Sequence, residues 1–335
     1  MLSSNRDFFR QQLSRNDLVA APMAGVSTPP FRKILRDYFD GIAYTEMVSV
    51  EGVCRDNPAS TIYLDMMEGD RPVVAQLFGG NSAAYAPAIA VAEAYNGPDA
   101  FDINMGCPVK KVIKSGGGCA LLLNLENVAQ IVRAVRQATE RPFSVKIRIG
   151  WEESKPVYRE ILDIAQSEGA DAIILHARTR TQMFGGAIHY EALAEMAANA
   201  TIPVIGNGDV CDYASYKRMK DTGVDGVMIG RAMMHAPWVF QAIREQKATQ
   251  GFISPSQIHA LLLKLLDYSL LHAGTDMNKL GHYLNLLRKQ AVWFSKGLPD
   301  AAQFRVEVFR GHAGSAEVSE GIAQLVDTFK FFKQL

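Results

Sequence analysis

The sequence predicts an α/β protein, a (β/α)8 TIM barrel followed by a small all-α helical C-terminal domain. Eight short apolar runs rich in β-formers occur between residues 18 and 229, and segments with helical periodicity separate them. Beyond residue 251 the helical pattern continues without strand-like runs. Eight parallel strands with intervening helices over about 200 to 250 residues are the pattern of a (β/α)8 barrel.

The strands are predicted from short apolar runs that end in glycine-containing or polar loops. They span residues 18–23, 42–47, 73–78, 101–104, 143–149, 172–176, 203–206 and 226–229. A doubly wound open sheet is the alternative fold, but it favours a GxGxxG turn after the first strand. The sequence has no such turn there, so the barrel is preferred.

The helices are predicted from the 3.6-residue spacing of apolar side chains. Those between the strands include residues 30–39, 81–95, 125–139, 156–167 and 213–222. In the C-terminal part, Ser254 and Pro255 open the first of four helices, at 257–272, 277–295, 301–310 and 315–332. We therefore expect a catalytic barrel domain at residues 1–250 and a helical domain at 251–335.

Composition limits the possible functions. The chain of 335 residues has a formal net charge of zero, so any nucleic-acid surface must come from local clusters of Lys and Arg. The four cysteines are far apart and form no CxxC pair, which predicts reduced thiols and no metal site. The chain shows no signal core and no apolar run long enough to span a bilayer, so a cytoplasmic protein is expected.

Polar residues follow the predicted strands at the end of the barrel where active sites form. The last two strands end in Asn207-Gly208-Asp209 and Gly230-Arg231, which suits the phosphate site that such barrels commonly place there. The ligand would then carry a phosphate. Each of these residues taken alone could equally satisfy loop backbone groups.

Three side chains would point into the barrel mouth and offer hydrogen bonds to a flat heterocycle. Gln76, Lys146 and His176 supply an amide, a cation and an imidazole, which meet the needs of a flavin ring. A lysine near the flavin N1 and C2 carbonyl would stabilise the negative charge of the reduced form. Alternatively, Lys146 is a structural ion-pair partner of Asp102, Glu46 or Asp209.

Cys107 lies between Gly106 and Pro108 on the loop after the fourth strand. The glycine gives the backbone freedom and the proline fixes the next φ angle. A free cysteine has a pKa near ~8.5, so it is mostly a thiol at neutral pH and can donate a proton. We interpret Cys107 as a proton donor. Cys54, Cys119 and Cys211 are expected to be inert small core residues.

Two clusters of basic residues could contact RNA. Lys110 and Lys111 follow Cys107 and precede the glycine run 116–118, which is either a mobile substrate loop or a turn into the next helix. Arg288 and Lys289, near Trp293, could meet phosphates and bases from the helical domain. A solvated helix face is the alternative interpretation.

These residues together resemble the dihydrouridine synthases, and within them the bacterial class B type. The resemblance covers essentially the whole chain. Its most specific part is Asn104-Met105-Gly106-Cys107-Pro108 with Lys111 and the glycine run. The supporting parts are residues 21–24, 146–148, 176–179, 207–209 and 230–231.

The resemblance implies an enzyme that reduces the C5=C6 bond of specific uridines in tRNA, in the D-loop, with FMN as cofactor and NADPH as reductant. Cys107 would protonate C5 of the flipped uracil, and Asn104 and Arg178 would help to place the base. The implied FMN contacts are Pro22, Met23, Ala24, Gln76, Lys146, His176, Asn207, Gly208, Asp209, Gly230 and Arg231. In the family, the helical domain contacts tRNA.

Three other functions are compatible with parts of the pattern. An FMN barrel could reduce a free small molecule, as dihydroorotate or enoate reductases do, but such an enzyme would not need the basic helical domain. A dihydrouridine synthase could act on ribosomal RNA instead of tRNA. A nonenzymatic RNA-binding protein with a barrel scaffold is disfavoured by the intact Cys107, Lys146 and Arg231.

Overall fold

The protein was analysed as a computed structural model, which describes residues 6–55, 58–309 and 318–335. Eight parallel strands form a closed barrel in sequence order, β1 to β8, with β8 paired to β1. The strands are Leu18–Ala20, Ala43–Ser49, Val73–Phe78, Ala100–Met105, Phe143–Arg148, Ala172–His176, Val204–Asn207 and Gly226–Ile229. The predicted barrel is confirmed, and each of the eight predicted runs overlaps an observed strand.

Helices separate the strands. Those up to residue 220 are Phe8–Arg15, Pro29–Leu35, Val50–Val53, Pro58–Thr61, Tyr85–Tyr95, Lys110–Lys114, Leu125–Ala138, Tyr158–Ser167, Tyr190–Asn199 and Tyr213–Lys220. The first predicted helix, residues 30–39, ends earlier than expected, at Leu35. Asn124 caps the helix Leu125–Ala138 by accepting a hydrogen bond from the Asn127 amide, which explains why this helix begins where the sequence predicts.

The chain divides into two compact units. The first contains Met1–Thr28, Asp40–Val210 and Ala214–Gly230 and includes the barrel strands. The second contains Pro29–Phe39, Cys211–Tyr213 and Arg231–Leu335 and is helical. The predicted roles of residues 1–250 in cofactor binding and of 251–335 in RNA binding stay predictions.

The second unit is built of helices throughout its described residues. From residue 231 they are Arg231–His235, Val239–Arg244, Pro255–Ala273, Met277–Phe294, Ala301–Phe309, Val318–Phe329 and Phe331–Gln334. Ser254 and Gln257 form a capping box with Pro255 in the first turn, which confirms the predicted opening of that helix. Residues 310 and 315–317, which the prediction placed in helices, lie outside the described residues. None of the described helices is long and apolar enough to cross a membrane.

The interior of the barrel changes from apolar to polar along the strands. Near the amino ends of the strands, the core contains Val74, Ala100 and Ala172, and Phe9 and Leu13 of the helix Phe8–Arg15 pack into the same cluster. Side chains of a strand alternate between its two faces, so the residues two positions further along β3 and β4 also point inward. These residues are Gln76 and Asp102, and both are fully buried. The polar half of the interior therefore lies toward the carboxyl ends of the strands.

Candidate active site

The strand register places the predicted polar residues side by side at the carboxyl end of the barrel. Asn104 on β4 is the partner of Lys146 on β5. Further around the barrel, His176 on β6 is paired with both Arg148 and Asn207. Because the strands are parallel, these residues belong to one end of the barrel, where active sites of this fold form.

The Asn104 side chain anchors the loop that carries Cys107. Its Oδ1 accepts hydrogen bonds from the backbone amides of Gly106, at 3.2 Å, and of Cys107, at 2.9 Å. The Cys107 carbonyl oxygen accepts from the Cys119 amide at 3.0 Å. Gly118 lies against this carbonyl with a φ of 57°, and a Cβ there would come within 2.6 Å of the oxygen. Close packing thus requires glycine at this position.

Burial keeps Cys107 in its thiol form. The residue is partly buried, and burial raises the pKa of its thiol above the ordinary value, while a backbone hydrogen bond at Val109 and the charges of Arg148 and Lys146 act in the opposite direction. A group with a raised pKa is protonated at neutral pH. Cys107 can therefore supply a proton there.

The glycine run 116–118 forms a turn. Gly116 has a φ of 76°, and the run leads through a 3₁₀ turn, Gly118–Leu123, to the helix Leu125–Ala138. A Cβ on Gly80 would lie 2.8 Å from the Ser115 carbonyl oxygen. The structure agrees with the interpretation of this run as a turn into the next helix.

Arg148 joins the Cys107 loop to the loop after β6. Its Nε donates to the Gly106 carbonyl at 2.9 Å, and its Nη1 donates to the carbonyls of Thr179 at 2.8 Å and Met183 at 2.6 Å. The guanidinium also lies 5.4 Å from the centroid of the Phe184 ring. The side chain is 1% exposed, so this buried cation is held by carbonyl oxygens of two loops.

Lys146 is hydrogen bonded to a neutral amide. Its Nζ donates to Asn207 Oδ1 at 3.2 Å, and Asn207 Nδ2 donates to the Met228 carbonyl at 2.8 Å, which fixes the direction of that amide. Burial, and then the charge of Arg148, lower the pKa of Lys146 to about 8, although the charge of Asp102 opposes this change.

Each of the three candidate carboxylates for the alternative role of Lys146 as an ion-pair partner has another hydrogen-bond partner. Asp102 accepts from Ser144 and Gln76, Glu46 accepts from the Gly25 amide, and Asp209 accepts from Arg178. The charges of Asp102 and Lys146 still act on one another.

Gln76 and Asp102 are hydrogen bonded inside the barrel below Asn104. Gln76 Nε2 donates to Asp102 Oδ2 at 2.7 Å, and Gln76 Oε1 accepts from Asn104 Nδ2 at 2.8 Å. Ser144 donates to Asp102 Oδ1 at 2.6 Å. Burial raises the pKa of Asp102 to about 7, although these hydrogen bonds and the charge of Lys146 oppose the increase.

The loop after β1 lies close to the end of β8. The Met23 amide donates to Ser27 Oγ at 3.0 Å, and the Met23 side chain packs against the barrel core. A Cβ on Gly230 would lie 3.6 Å from Met23 Sδ. Pro22 is partly buried and Ala24 is exposed. The predicted cofactor residues 22–24 and Gly230 are thus neighbours.

Arg178 and Asp209 form an ion pair. The Arg178 guanidinium contacts both carboxylate oxygens and also donates to the Gly186 carbonyl at 2.7 Å. The arginine side chain is 2% exposed and the aspartate side chain 41%. Gly208 precedes this aspartate with a φ of 146°, and a Cβ there would lie 3.7 Å from His176 Cδ2. The structure brings these predicted residues together, and their contacts with base or cofactor stay predictions.

The remaining predicted residues lie apart along the chain. Lys110 and Lys111 are exposed on the short helix Lys110–Lys114. Arg231 is exposed and begins the helix Arg231–His235 of the second unit. In that unit Lys289 is exposed, whereas Arg288 is 5% exposed and donates to Asn285 Oδ1 at 3.1 Å.

The other cysteines differ in burial. Cys119 is buried, as predicted, but Cys54 and Cys211 are exposed. The prediction that both are core residues was wrong, because burial was expected from residue type rather than from position. All four are free thiols.

Asp102 and Ser144 belong to the site, although neither was predicted as a site residue. The strand alternation contained the signal: Asp102 and Asn104 share one face of β4, as Ser144 and Lys146 share one face of β5. Two polar residues in a row on the inner face of buried strands indicate a polar interior.

The comparisons with known proteins agree with this geometry. The family model described as dihydrouridine synthase (Dus) matches residues 18–331. tRNA-dihydrouridine synthase B of Pseudomonas aeruginosa is 33% identical over 299 residues, covering 88% of this chain and 88% of the relative. The protein of the same name from Proteus vulgaris is 33% identical over 323 residues, covering 95% of this chain and 97% of the relative.

Solved structures of lower identity share the fold. Histamine dehydrogenase from Rhizobium sp. 4-9 superposes with a TM-score of 0.55 at 12% identity over 76% of this chain, which spans 49% of that enzyme's length. TcOYE, solved with pHBA, superposes with a TM-score of 0.50 at 10% identity, covering 69% of this chain and 89% of that one. The family model matches nearly the full length of the chain, and the relatives named above match most of it. The chain therefore belongs to the dihydrouridine synthase family and is a flavin-dependent oxidoreductase.

Proposed function

We propose that this protein is a tRNA-dihydrouridine synthase of the B type, which reduces the C5=C6 bond of D-loop uridines with FMN as cofactor and NADPH as reductant. The observation that carries the proposal is the Cys107 thiol, which is kept protonated by burial and lies on a loop anchored at the carboxyl end of the barrel. The tRNA substrate is supported by the names of the relatives that match most of the chain.

The residues of the barrel mouth fit a flavin. Lys146 is a buried cation whose Nζ donates to the neutral amide of Asn207, and a cation in this position can stabilise an anionic ring. Bound FMN, reduced by NADPH, would supply the hydride that adds to C6 of uracil. The chain residues proposed to hold it are Pro22, Met23, Ala24, Gln76, Lys146, His176, Asn207, Gly208, Asp209, Gly230 and Arg231.

Cys107 completes the reduction. Addition at C6 leaves negative charge delocalised over C5 and the neighbouring carbonyl, so C5 must gain a proton before product leaves. The thiol gives that proton to C5 and becomes a thiolate, which the charges of Arg148 and Lys146 stabilise. Asn104 and Arg178 are proposed to place the base.

The helical unit is proposed to supply RNA affinity. Lys289 is exposed there, and Lys110 and Lys111 are exposed beside the Cys107 loop. Arg288 is buried, so it can meet a phosphate only if its guanidinium becomes accessible on binding. Phosphate contacts of this kind give affinity without reading sequence.

The test compares Cys107→Ala and Cys107→Ser with the parent protein. Both variants should keep FMN, its reduction by NADPH and tRNA binding, yet lose dihydrouridine formation by about 10²- to 10⁴-fold, the effect of removing a general acid. Serine should not rescue, because an alcohol is a far weaker acid than a thiol. The measurement is single-turnover oxidation of prereduced enzyme by unmodified tRNA, with flavin content checked first.

Other results would assign other functions. If Cys107→Ala formed dihydrouridine at the parental rate, another group would have to be the proton donor. Parent protein that turns over dihydroorotate or an enoate but not tRNA would be a small-molecule reductase, and turnover of ribosomal RNA alone would change the substrate. A colourless protein that takes up no FMN on titration would contradict the flavin proposal itself.

A further inference from the structure

A series of hydrogen bonds runs from the barrel interior to the loop that carries Cys107. It begins at the buried Asp102 carboxylate, which accepts from Gln76 Nε2 at 2.7 Å. Gln76 Oε1 then accepts from Asn104 Nδ2 at 2.8 Å. Asn104 Oδ1 accepts from the amides of Gly106 and Cys107. The series therefore joins a carboxylate on one strand to two backbone amides through two side-chain amides.

The direction of every bond in this series follows from its loop end. A backbone amide can only donate, so the oxygen of Asn104 must face the loop and its nitrogen must face Gln76. The oxygen of Gln76 must then accept from Asn104, which leaves the nitrogen of Gln76 to donate to Asp102 Oδ2. If either side-chain amide turned over, two like groups would meet at the hydrogen-bond distances given above. Only a group that accepts at position 102 makes all of these contacts compatible.

The burial of Asp102 has a cost that packing alone does not explain. Two residues earlier on the same strand, the inward position is Ala100, which lies in the apolar core cluster. Burying a carboxylate at position 102 raises its pKa to about 7, which shows that the charged form is disfavoured by its surroundings. A nonpolar residue would avoid this cost but would leave the Gln76 nitrogen without an acceptor.

We propose that Asp102 is a positioning residue, which acts through Gln76 and Asn104 to fix the Cys107 loop. Asp102 acts on the loop indirectly. It sets the orientation of the Gln76 amide, which sets that of the Asn104 amide, and Asn104 holds the loop backbone. The proposal rests on the proposed function for its catalytic consequence, because the loop matters for activity only if Cys107 donates the proton.

The test reverses one bond of the series and then restores it. In Gln76→Glu, two carboxyl groups face each other, and their repulsion should turn the side chain at position 76 away from both Asp102 and Asn104. Asn104, which anchors the loop, would then no longer be held in place. In the double variant Gln76→Glu/Asp102→Asn, the new amide at position 102 can donate through its nitrogen to the new carboxylate at position 76. That carboxylate still accepts from Asn104, and the oxygen of the new amide still accepts from Ser144. The double variant should therefore recover what the single variant loses.

The matched control is Ser144→Ala. It removes the hydrogen bond to the other oxygen of Asp102 and leaves the series to the Cys107 loop intact. A loop that is held through Gln76 and Asn104 should therefore keep its anchor in this variant.

The first measurement is the hydrogen-exchange protection of the amides of residues 106 and 107, which does not depend on activity. Protection should fall by about tenfold in Gln76→Glu, the loss expected for a buried hydrogen bond, and return in the double variant to within about threefold of the parent. The second measurement is single-turnover dihydrouridine formation, which should fall and recover in parallel.

The defect of the single variant should also depend on pH. A proton shared by the two carboxyls would replace the lost donor, so the defect should deepen as pH rises from about 6 to about 9. Three other titratable groups face Asp102. Tyr44 and Tyr85 stay neutral over this range, because burial raises the pKa of each above its ordinary value. Lys146 loses its charge near a pKa of about 8 in the parent as well, so the defect is taken relative to the parent at each pH. A defect that stayed constant over this range would contradict the opposition of two carboxyl groups as its cause.

The outcomes separate the two proposals. Unchanged protection in Gln76→Glu, or equal loss in the single and double variants, would overturn the positioning role of Asp102. Lost and recovered protection with an unchanged rate would leave the positioning role and overturn the role of Cys107. A fall in protection for Ser144→Ala as large as for Gln76→Glu would mean that any change near Asp102 loosens the loop, and it would also overturn the proposal.

Discussion

At the scale of single residues, the environment of Cys107 favours the donation of a proton over nucleophilic attack. Reactive cysteines generally have a lowered pKa and are thiolates at neutral pH. Here burial raises the pKa of the thiol, and the cations Arg148 and Lys146 only partly oppose it. Once the proton has left, the positive charges of the same two cations would stabilise the negative charge of the thiolate.

This environment predicts the dependence of the reaction on pH. A general acid works only while it is protonated, so single-turnover dihydrouridine formation should fall as pH rises through the pKa of Cys107, which burial raises above the ordinary value of a thiol. The rate should therefore hold at neutral pH and decline only in the alkaline range. The residual rate of Cys107→Ala, measured over the same range, should show no such decline. A decline centred near neutral pH in the parent alone would contradict a raised pKa.

At the scale of secondary structure elements, the helix Phe8–Arg15 closes the amino end of the barrel. This helix was not predicted, because Phe9 and Leu13 lie in a short segment that is mostly polar and charged. Their spacing of four residues puts them on one helix face, and both belong to the buried core cluster. A short amphipathic helix thus supplies part of the barrel interior.

This packing predicts a large effect of one substitution in that helix. Phe9→Ala removes a fully buried ring from the core and should lower the free energy of unfolding by about 3 to 5 kcal/mol. Phe8→Ala is the control, because Phe8 is only partly buried and should cost clearly less. Urea denaturation followed by fluorescence measures both. Equal losses of unfolding free energy in the two variants would contradict the packing of Phe9 in the core and of Phe8 at its edge.

The sequence could predict elements that are long or strongly patterned. All eight strands were found because buried strands of a parallel barrel are apolar runs bounded by turn residues. The helix Lys110–Lys114 was missed because five residues make little more than one turn and show no periodicity. The hydrogen-bond series from Asp102 to the Cys107 loop could not be predicted, since the direction of each bond depends on atomic positions.

At the scale of the whole molecule, a net charge of zero requires that RNA affinity come from particular residues. Arg288 and Lys289 were predicted to contact RNA together, but adjacent residues of a helix point in directions about 100° apart, and only Lys289 is exposed. Charge counts in the sequence could not distinguish them.

The exposure of Lys289 predicts a change in the salt dependence of binding. Lys289→Ala should weaken tRNA binding and reduce the slope of log K against log salt by about one, because one phosphate contact is lost. NADPH oxidation without RNA should not change. Lys217→Ala is the control, since it also removes one positive charge but from an ion pair with Asp221. A slope that changes equally in both variants would indicate a general charge effect.

The contacts of Arg148 have a consequence for how the barrel mouth opens. One guanidinium binds the carbonyl of Gly106 in the Cys107 loop and the carbonyls of Thr179 and Met183 in the loop after β6. If either loop leaves, the buried guanidinium loses acceptors that the other loop does not replace, and leaving buried donors unsatisfied costs free energy. The two loops should therefore open in a single cooperative event, so that a protease that cuts the exposed segment near Met183 samples the same open state that releases Cys107.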